Sequence, residues 1–312
     1  MEFRIRPLKD VNDLSVGMRG WEQVYRQMSP GFFSGVAVQA ETSEFQFFRE
    51  KTSRRVCQTG VTPGHFSSIA VPLEAGASGT FQGLRFDGFA LLLLGEEEEF
   101  RMHTSEAFHY CGVSLPSDVI SMLSSAVTDG EMEFSSRSSV HSLKLSQGTE
   151  TSGRLLSCFA QVERTPGMLQ NPVLLKRIRD EMLSVLLDLL VPGNRVERDL
   201  THTTYADIVR RSEKLLQADS DAAVTVLDLC VALRCSRRTL QTSFQRVANV
   251  SPVEYLRMMR LNGVRRLLRS TSQNELGVGD AAAKWGFTHA SYFAREYRSL
   301  FGELPSQTAR QS

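Results

Sequence analysis

Arg238, Gln241, Thr242 and Gln245 are the residues of this 312-residue chain whose types and spacing best suit recognition chemistry. At about 100° per residue they share one side of a helix, and that side offers guanidinium, amide and hydroxyl groups with no carboxylate. Such groups match base-pair edges. Arginine forks onto guanine O6 and N7, glutamine onto adenine N6 and N7, and threonine contacts polar edges or a thymine methyl. The opposite side carries Leu240, Phe244 and Val247 at i, i+4 and i+7, an apolar stripe that needs a partner to bury it. Ser236 is placed to cap the helix, its hydroxyl accepting from a backbone N–H two or three residues on.

The neighbouring elements explain how that face could be held. Thr225-Val-Leu-Asp228 has the form of a capping box opening a shorter helix that ends near Leu233, so only Arg234 and Cys235 separate the two helices. Short helices joined so tightly predict a helix-turn-helix, whose second helix enters the DNA major groove. The pattern then recurs. Phe293, Tyr297 and Leu300 repeat Leu240, Phe244 and Val247 at a displacement of 53 residues, as Pro305 repeats Pro252. Ser291, Ala294, Arg295 and Arg298 take the outward places. The preceding helix, Asp280 to Trp285, is displaced from Asp228 by 52, so the second turn, through Gly286-Phe287-Thr288, is one residue longer. An imperfect repeat of this kind predicts two similar subdomains. Ser251 and Pro252 open a joining helix that runs to about Leu268. Arg237, Arg246, Arg257, Arg260, Arg265, Arg266 and Arg298 form the pool for phosphate contacts, and Gln245 borders the reading face.

These residues resemble a known family. Ser236-Arg-Arg-Thr-Leu240 with Phe244, Ala282-x-x-x-Gly286-Phe287, Ser291-Tyr292-Phe293, Phe301-Gly302 and Pro305-Ser306 look like the DNA-binding domain of the AraC/XylS transcription regulators, over roughly Tyr205 to Arg310. The resemblance implies double-stranded promoter DNA and RNA polymerase as partners. By position it places base reading on Arg238, Gln241 and Thr242, and on Ala290, Ser291 and Arg295. Two positions depart from the pattern. Arg234 stands where the first turn often has glycine, and Ala290 has no polar side chain, leaving it only a thymine methyl to contact. Trp21-Glu-Gln-Val-Tyr25, Pro30-Gly31-x-Phe33-x-Gly35, Phe47-Phe48-Arg49-Glu50 and Leu261-Asn262-x-Val264-Arg265-Arg266-x-Leu268 are similar to an ethanolamine-utilisation subgroup of that family. This second resemblance implies an ethanolamine-like effector, which in that subgroup acts with adenosylcobalamin; no cofactor is assigned to this chain.

Composition bounds the remaining possibilities. The length suits two domains, each with its own core. No apolar run is long enough to span a bilayer, and Met1 to Lys9 is charged without an apolar segment behind it, so a cytoplasmic protein without membrane attachment is expected. Five scattered cysteines without a C-x-x-C pair fit free thiols. The net charge of +1 divides unevenly: from Leu200 onward there are 16 Lys and Arg against 10 Asp and Glu, leaving the first 199 residues at −5. The basic half coincides with the proposed reader, as phosphate contact requires.

The first half predicts an α+β protein overall, with a β-rich sensor domain at residues 1–190, a linker at 191–204 and an all-α DNA-binding domain at 205–312. Leu14 to Met28 has helical spacing of Trp21, Val24, Tyr25 and Met28. Those aromatics could wall a ligand pocket, though their spacing favours core. Short apolar runs follow, at Gly35 to Val38, Phe45 to Phe48, Ser67 to Val71, Phe86 to Leu94 and Tyr110 to Leu115, separated by Gly, Pro and Ser. They predict a small antiparallel barrel or sandwich, which the family resemblance makes cupin-like. A barrel enzyme with an accessory DNA module would require catalytic or metal residues. His103 and His109 flank Glu106, and on one strand the two histidines would share a face. No His-x-His pair accompanies them, and no nucleophile elbow, Walker loop or H-E-x-x-H occurs, so no catalytic residue, no metal site and no enzyme activity are expected. Glu96 to Glu99 reads as a solvated turn. From Asn171 to Leu190, Leu175, Ile178, Met182, Val185 and Leu189 step by three and four, a seam expected to form a homodimer or to pack on the sheet. Within the regulator class, an effector-independent dimer controlling virulence or quorum-sensing genes is the alternative to a metabolite sensor.

Overall fold

The computed structural model describes residues 2–15, 20–42, 45–121, 138–165, 167, 171–187, 189, 200–218 and 224–310. Two compact units divide the chain: Met1–Tyr25, Ser34–Ser53 and Gln58–Glu197 in the first, and Arg26–Phe33, Arg54–Cys57 and Arg198–Ser312 in the second. The expected linker lies, up to residue 199, outside the described residues. Among those residues no helix is long and apolar enough to cross a membrane.

The first unit is built on two sheets whose central strands, such as those at Ala90–Leu94 and His109–Pro116, are buried on both faces. β1 (Glu2–Leu8), β3 (Gly35–Glu41), β4 (Gln46–Thr52), β6 (Phe66–Pro72), β9 (Ala90–Leu94), β11 (His109–Pro116) and β12 (Ser139–Ser142) form one sheet in the order β1-β3-β4-β11-β6-β9-β12. A second sheet has the order β2-β5-β10-β7-β8, from β2 (Glu22–Gln27), β5 (Val56–Val61), β7 (Ser78–Phe81), β8 (Leu84–Asp87) and β10 (Glu99–Thr104). The described strands close no barrel, so the sandwich alternative holds. Successive side chains on a strand point to opposite faces. Phe48, Leu92 and Leu94 therefore join Phe81, Phe100 and Met102 between the sheets. Their neighbours Phe47, Leu91 and Leu93 turn to the other side, onto α1 (Leu145–Arg164) and α2 (Pro172–Leu187). A strand covered on both faces reads as an uninterrupted apolar run, which is why β9 is Ala-Leu-Leu-Leu-Leu.

The helix expected from Leu14 to Met28 is not formed. A 3-10 turn occupies Val11–Ser15, Gly20 takes φ +81°, and Glu22–Gln27 is β2. A left-handed glycine breaks any helix drawn through it, and Val24 and Tyr25 are residue types that suit a pleated, half-buried surface. The seam of α2 is spent on the chain's own sheet: Ile178, Met182, Val185 and Leu189 are at most 4% exposed, with Leu175 partly buried beside them.

The second unit contains α3 (Leu200–Ala218), α4 (Val226–Leu233), α5 (Arg237–Ala248), α6 (Pro252–Ser270), α7 (Val278–Lys284) and α8 (Ala290–Phe301). Its core joins Val209 and Leu216 of α3, the Leu240, Phe244 and Val247 stripe of α5, Tyr255 and Leu268 of α6, and Phe293 and Tyr297 of α8. α6 runs through this core with Tyr255, Leu256, Met259, Val264 and Leu268 buried. The opening helix begins five residues before the expected Tyr205.

Candidate nucleic-acid interface

Local sequence builds the first helix pair as expected. Thr225 Oγ1 accepts from the Asp228 backbone N–H while the Asp228 carboxylate accepts from the Thr225 N–H, closing the capping box. Bonds from the Thr225 N–H and hydroxyl to the carboxylate hold the Asp228 carboxyl below its usual range. Ser236 Oγ accepts from Thr239 N at 3.0 Å and starts α5. Between the helices Arg234 occupies the left-handed region at φ +51°, so the geometry usually given to glycine is kept at a steric cost. Inward, Phe244 packs edge-on against Tyr255 at 5.0 Å between ring centroids. Outward, Arg237, Arg238, Gln241, Gln245 and Arg246 are exposed and Thr242 is half-buried. Gln245 donates to Asn249 Oδ1 at 2.7 Å, so its amide is already engaged in the last turn. Arg237, Arg238 and Arg246 have no acidic partner among the described residues.

The second pair reaches a similar arrangement by other means. α7 ends at Lys284, and Gly286 takes φ +75°. His289 stands at the N-cap of α8 without a side-chain cap bond. Gly263 of α6 lets Trp285 come so close that a Cβ there would lie 2.3 Å from the indole. Phe293, Tyr297 and Leu300 are buried, while Ser291, Arg295 and Arg298 are exposed on the other side. Arg295 is 72% exposed, lies 3.6 Å from Glu296, and rests over the Tyr292 ring at 5.2 Å. Ala290 is exposed at the start of the helix.

The phosphate pool separates by burial. Arg265 is buried, donates to Glu303 at 2.9 Å and to Tyr297 Oη at 3.2 Å, and stacks over Phe301. Its role is to hold α6, α8 and the C-terminal turn together. Arg257 pairs with Glu296 at 2.6 Å, which raises its pKa. Arg260 donates to the Val224 carbonyl, and burial lowers Arg266 to about 10. Arg237, Arg246 and Arg298 remain the exposed members.

Sequence reasoning missed the residues that fix the scaffold. Within the second unit, Asn262 of α6 accepts from Gln27 N and donates to Gln27 O, both at 2.9 Å. The Gln27 side chain in turn donates to the carbonyl of Leu300 at 2.6 Å. One glutamine thus ties the joining helix to the end of α8. A polar residue among the apolar positions of α6 was the available signal for Asn262, and a glycine inside a helix was the signal for Gly263.

The histidines do not converge in the first unit. His103 lies on β10, where it meets Thr80 Oγ1 at 3.2 Å. His109 lies on β11 in the other sheet, 3.4 Å from Glu74, and Glu106 is exposed in the intervening turn. The even spacing counted for one strand therefore spans two.

The second unit is a two-fold helix-turn-helix module with an outward polar face on each second helix. Residues 229–311 match a family model described as a helix-turn-helix domain. The chain is 32% identical over 131 residues to the XylDLEGF operon transcriptional activator of Pseudomonas putida, covering 41% of this chain and 39% of that protein. It is 36% identical over 104 residues to a Rhodococcus erythropolis protein named "Probable thc operon regulatory protein", covering 33% and 31%. A solved transcriptional regulator with an AraC-type DNA-binding domain, from Chromobacterium violaceum, is 25% identical over 33% of this chain and 88% of its own, with a TM-score of 0.30. Over this module the chain is thus a helix-turn-helix protein similar to transcriptional regulators. The matched stretch spans about two fifths of the length of the Pseudomonas relative.

Proposed function

We propose that this protein is a transcription regulator that binds promoter DNA through α5 and α8. The observation that carries the reading is the repetition, 53 residues apart, of a helix with a buried apolar stripe and an exposed cationic face. Arg238, Gln241 and Thr242 read base edges in the first helix-turn-helix, with Arg295 and Ser291 in the second. Arg237, Arg246 and Arg298 contact phosphates, and Gln245 supports the groove edge from its bond to Asn249. The basic excess of this half supplies the non-specific attraction on which specific contacts build. Recovery of genomic fragments at near-physiological salt tests the reading. Enrichment of promoter segments with a shared two-part site is expected, and uniform recovery of all fragments would reject it.

The same reading includes control by a small-molecule effector, with RNA polymerase as the downstream partner and the cytoplasm as the site of action. Ethanolamine is the candidate that the subgroup resemblance supplies. Two copies would engage paired half-sites and gain affinity through effective concentration. Since the Leu175 to Leu189 stripe packs inside its own unit, such a dimer draws on the outer side of α2, where Val173 is 75% exposed beside Lys176 and Arg177. Sedimentation velocity at micromolar concentration measures the assembly, and a monomer at all concentrations would remove the dimer. The effector-independent alternative predicts identical promoter retention with and without metabolites.

A further inference from the structure

The five cysteines divide by exposure. Cys57, Cys111 and Cys158 are buried, and burial drives the Cys111 thiol far above its usual range and Cys158 up to about 11. Thiols held this way stay protonated and inert. Cys230 and Cys235 are half-buried at the edge of the second unit's core, five residues apart, where α4 turns into α5.

The turn itself brings the pair together. Arg234 takes φ +51°; its N–H donates to the Val231 carbonyl at 3.2 Å, and the Cys235 N–H donates to the Cys230 carbonyl at 3.1 Å. These are the two bonds of a Schellman ending, in which the residues joined by the longer-range bond set their side chains in contact. That contact is frequently between two hydrocarbon groups. Here it is between two thiols. The backbone bond keeps their Cα atoms within about 7 Å, the span that a disulfide can bridge. The thiols also act on each other directly: burial and then the Cys230 thiol hold Cys235 above its ordinary range, while the charge of Arg211 acts against both.

The position of the pair makes its state consequential. Ser236, which caps α5, is the next residue, and Arg237 and Arg238 open that helix. A covalent bond draws two sulfurs closer than non-bonded contact allows. Closing it pulls the end of α4 against the cap of α5 and re-aims the exposed arginines.

We propose that Cys230 and Cys235 form a reversible oxidation site, at which a low-molecular-weight disulfide closes an intrachain S–S bond that loosens DNA reading by α5. One thiolate attacks a sulfur of the small disulfide, giving a mixed disulfide and releasing one small thiol. The second thiolate attacks the protein sulfur of that mixed bond, and a second small thiol leaves. Both cysteine protons end on the thiols released, and the two electrons lost by the cysteines reduce the small disulfide. Excess thiol reverses the sequence, so the bond lasts only under oxidising conditions. The loosening rests on the DNA-binding reading above; the bond does not.

The test is treatment of the full chain with oxidised glutathione at mildly alkaline pH, where thiolate forms, followed by intact mass and mapping of alkylated peptides. A chain lighter by two hydrogens, with Cys230 linked to Cys235 and no glutathione retained, is expected. Cys230→Ser and Cys235→Ser should each keep one glutathione instead, because the thiol that displaces it is gone. Promoter fragments recovered by the reduced chain should be held about tenfold more weakly after oxidation, as for the loss of one bidentate base contact, and regain their affinity with dithiothreitol. The double variant Cys230→Ser, Cys235→Ser should show no such response. Two free thiols, glutathione left on either cysteine of the unaltered chain, a bond to a different cysteine, or unchanged DNA affinity in the linked chain would each overturn the proposal. Mass and fragment retention of the unaltered chain decide even where a variant does not fold. A chain that links the pair yet retains no promoter fragments in either state upholds the bond and removes the regulator reading.

Discussion

The two helix-turn-helix units share a scaffold and differ in what their second helices present. α5 begins on a serine cap and offers Arg237, Arg238, Gln241 and Arg246, none opposed by an acid among the described residues. α8 begins on an uncapped His289 and offers a methyl group, one hydroxyl and two arginines, one of them beside Glu296 and on a tyrosine ring. Their turns differ too: the first strains Arg234 into the left-handed region, where the second uses Gly286 without penalty. The inward stripe is thus kept by core packing, while the outward face is free to diverge. The first helix-turn-helix is expected to carry more of the sequence discrimination and the second more of the positioning.

Four comparisons break or sharpen that contrast. The largest effect is expected for Gly263→Ala, which would drive a methyl into the Trp285 indole. Overpacking of this kind costs typically 1–3 kcal/mol, and the loss should reach about 3. Denaturant unfolding measures it, and footprints should lose the half contacted by α8 before the other half. Next comes Arg238→Ala, expected to cost about 2 kcal/mol of discrimination against mutated sites, with Arg295→Ala costing less because its guanidinium is shared with Glu296. Competition binding against single-base variants compares them, and equal losses would erase the contrast. Third, Ser236→Ala should destabilise by about 1 kcal/mol, whereas His289→Ala should change little and His289→Ser should stabilise. The smallest effect has the opposite sign. Arg234→Gly relieves a left-handed arginine and should raise stability by up to about 1 kcal/mol, the steric gain being partly offset by glycine's greater freedom in the unfolded chain. Thermal melts read both of these last effects.

What was legible in the sequence was local. Capping residues, 3.6-residue periodicity and the repeat lie within a few turns of one another, so α4, α5, α7 and α8 and their outward residues could be placed from spacing alone. β2 was misread because Trp21, Val24 and Tyr25 happen to sit at helical intervals, while the strand is fixed by pairing with β5 and by Gly20, which a local period does not register. α1 opens with a stretch rich in Gly, Ser and Thr, Gly148 and Gly153 among them, which weakens its local helix signal; the sheet it covers supplies the rest. A cavity between the two sheets of the first unit, lined by Trp21, Gln23, Tyr25, Glu50, Gln58 and Tyr110 among others, was out of reach for a further reason. Gln23, Glu50, Gln58 and Tyr110 stand on β2, β4, β5 and β11, and only the register that sets Glu50 opposite Tyr110 brings their chemistry together. The helical spacing of Trp21 and Tyr25 favours core over a pocket wall, yet both line that cavity.

The central claim is that two unlike readers on one module recognise a single DNA site. Selection of bound sequences from a random duplex library, carried out with the full chain and with Arg238→Ala, tests it most directly. The account predicts two conserved segments whose centres are about 10 base pairs apart, one helical turn, with the more sharply defined segment relaxed in Arg238→Ala and the other unchanged. A library with no enriched sequence, or one in which Arg238→Ala selects the same two segments with the same sharpness, would contradict it.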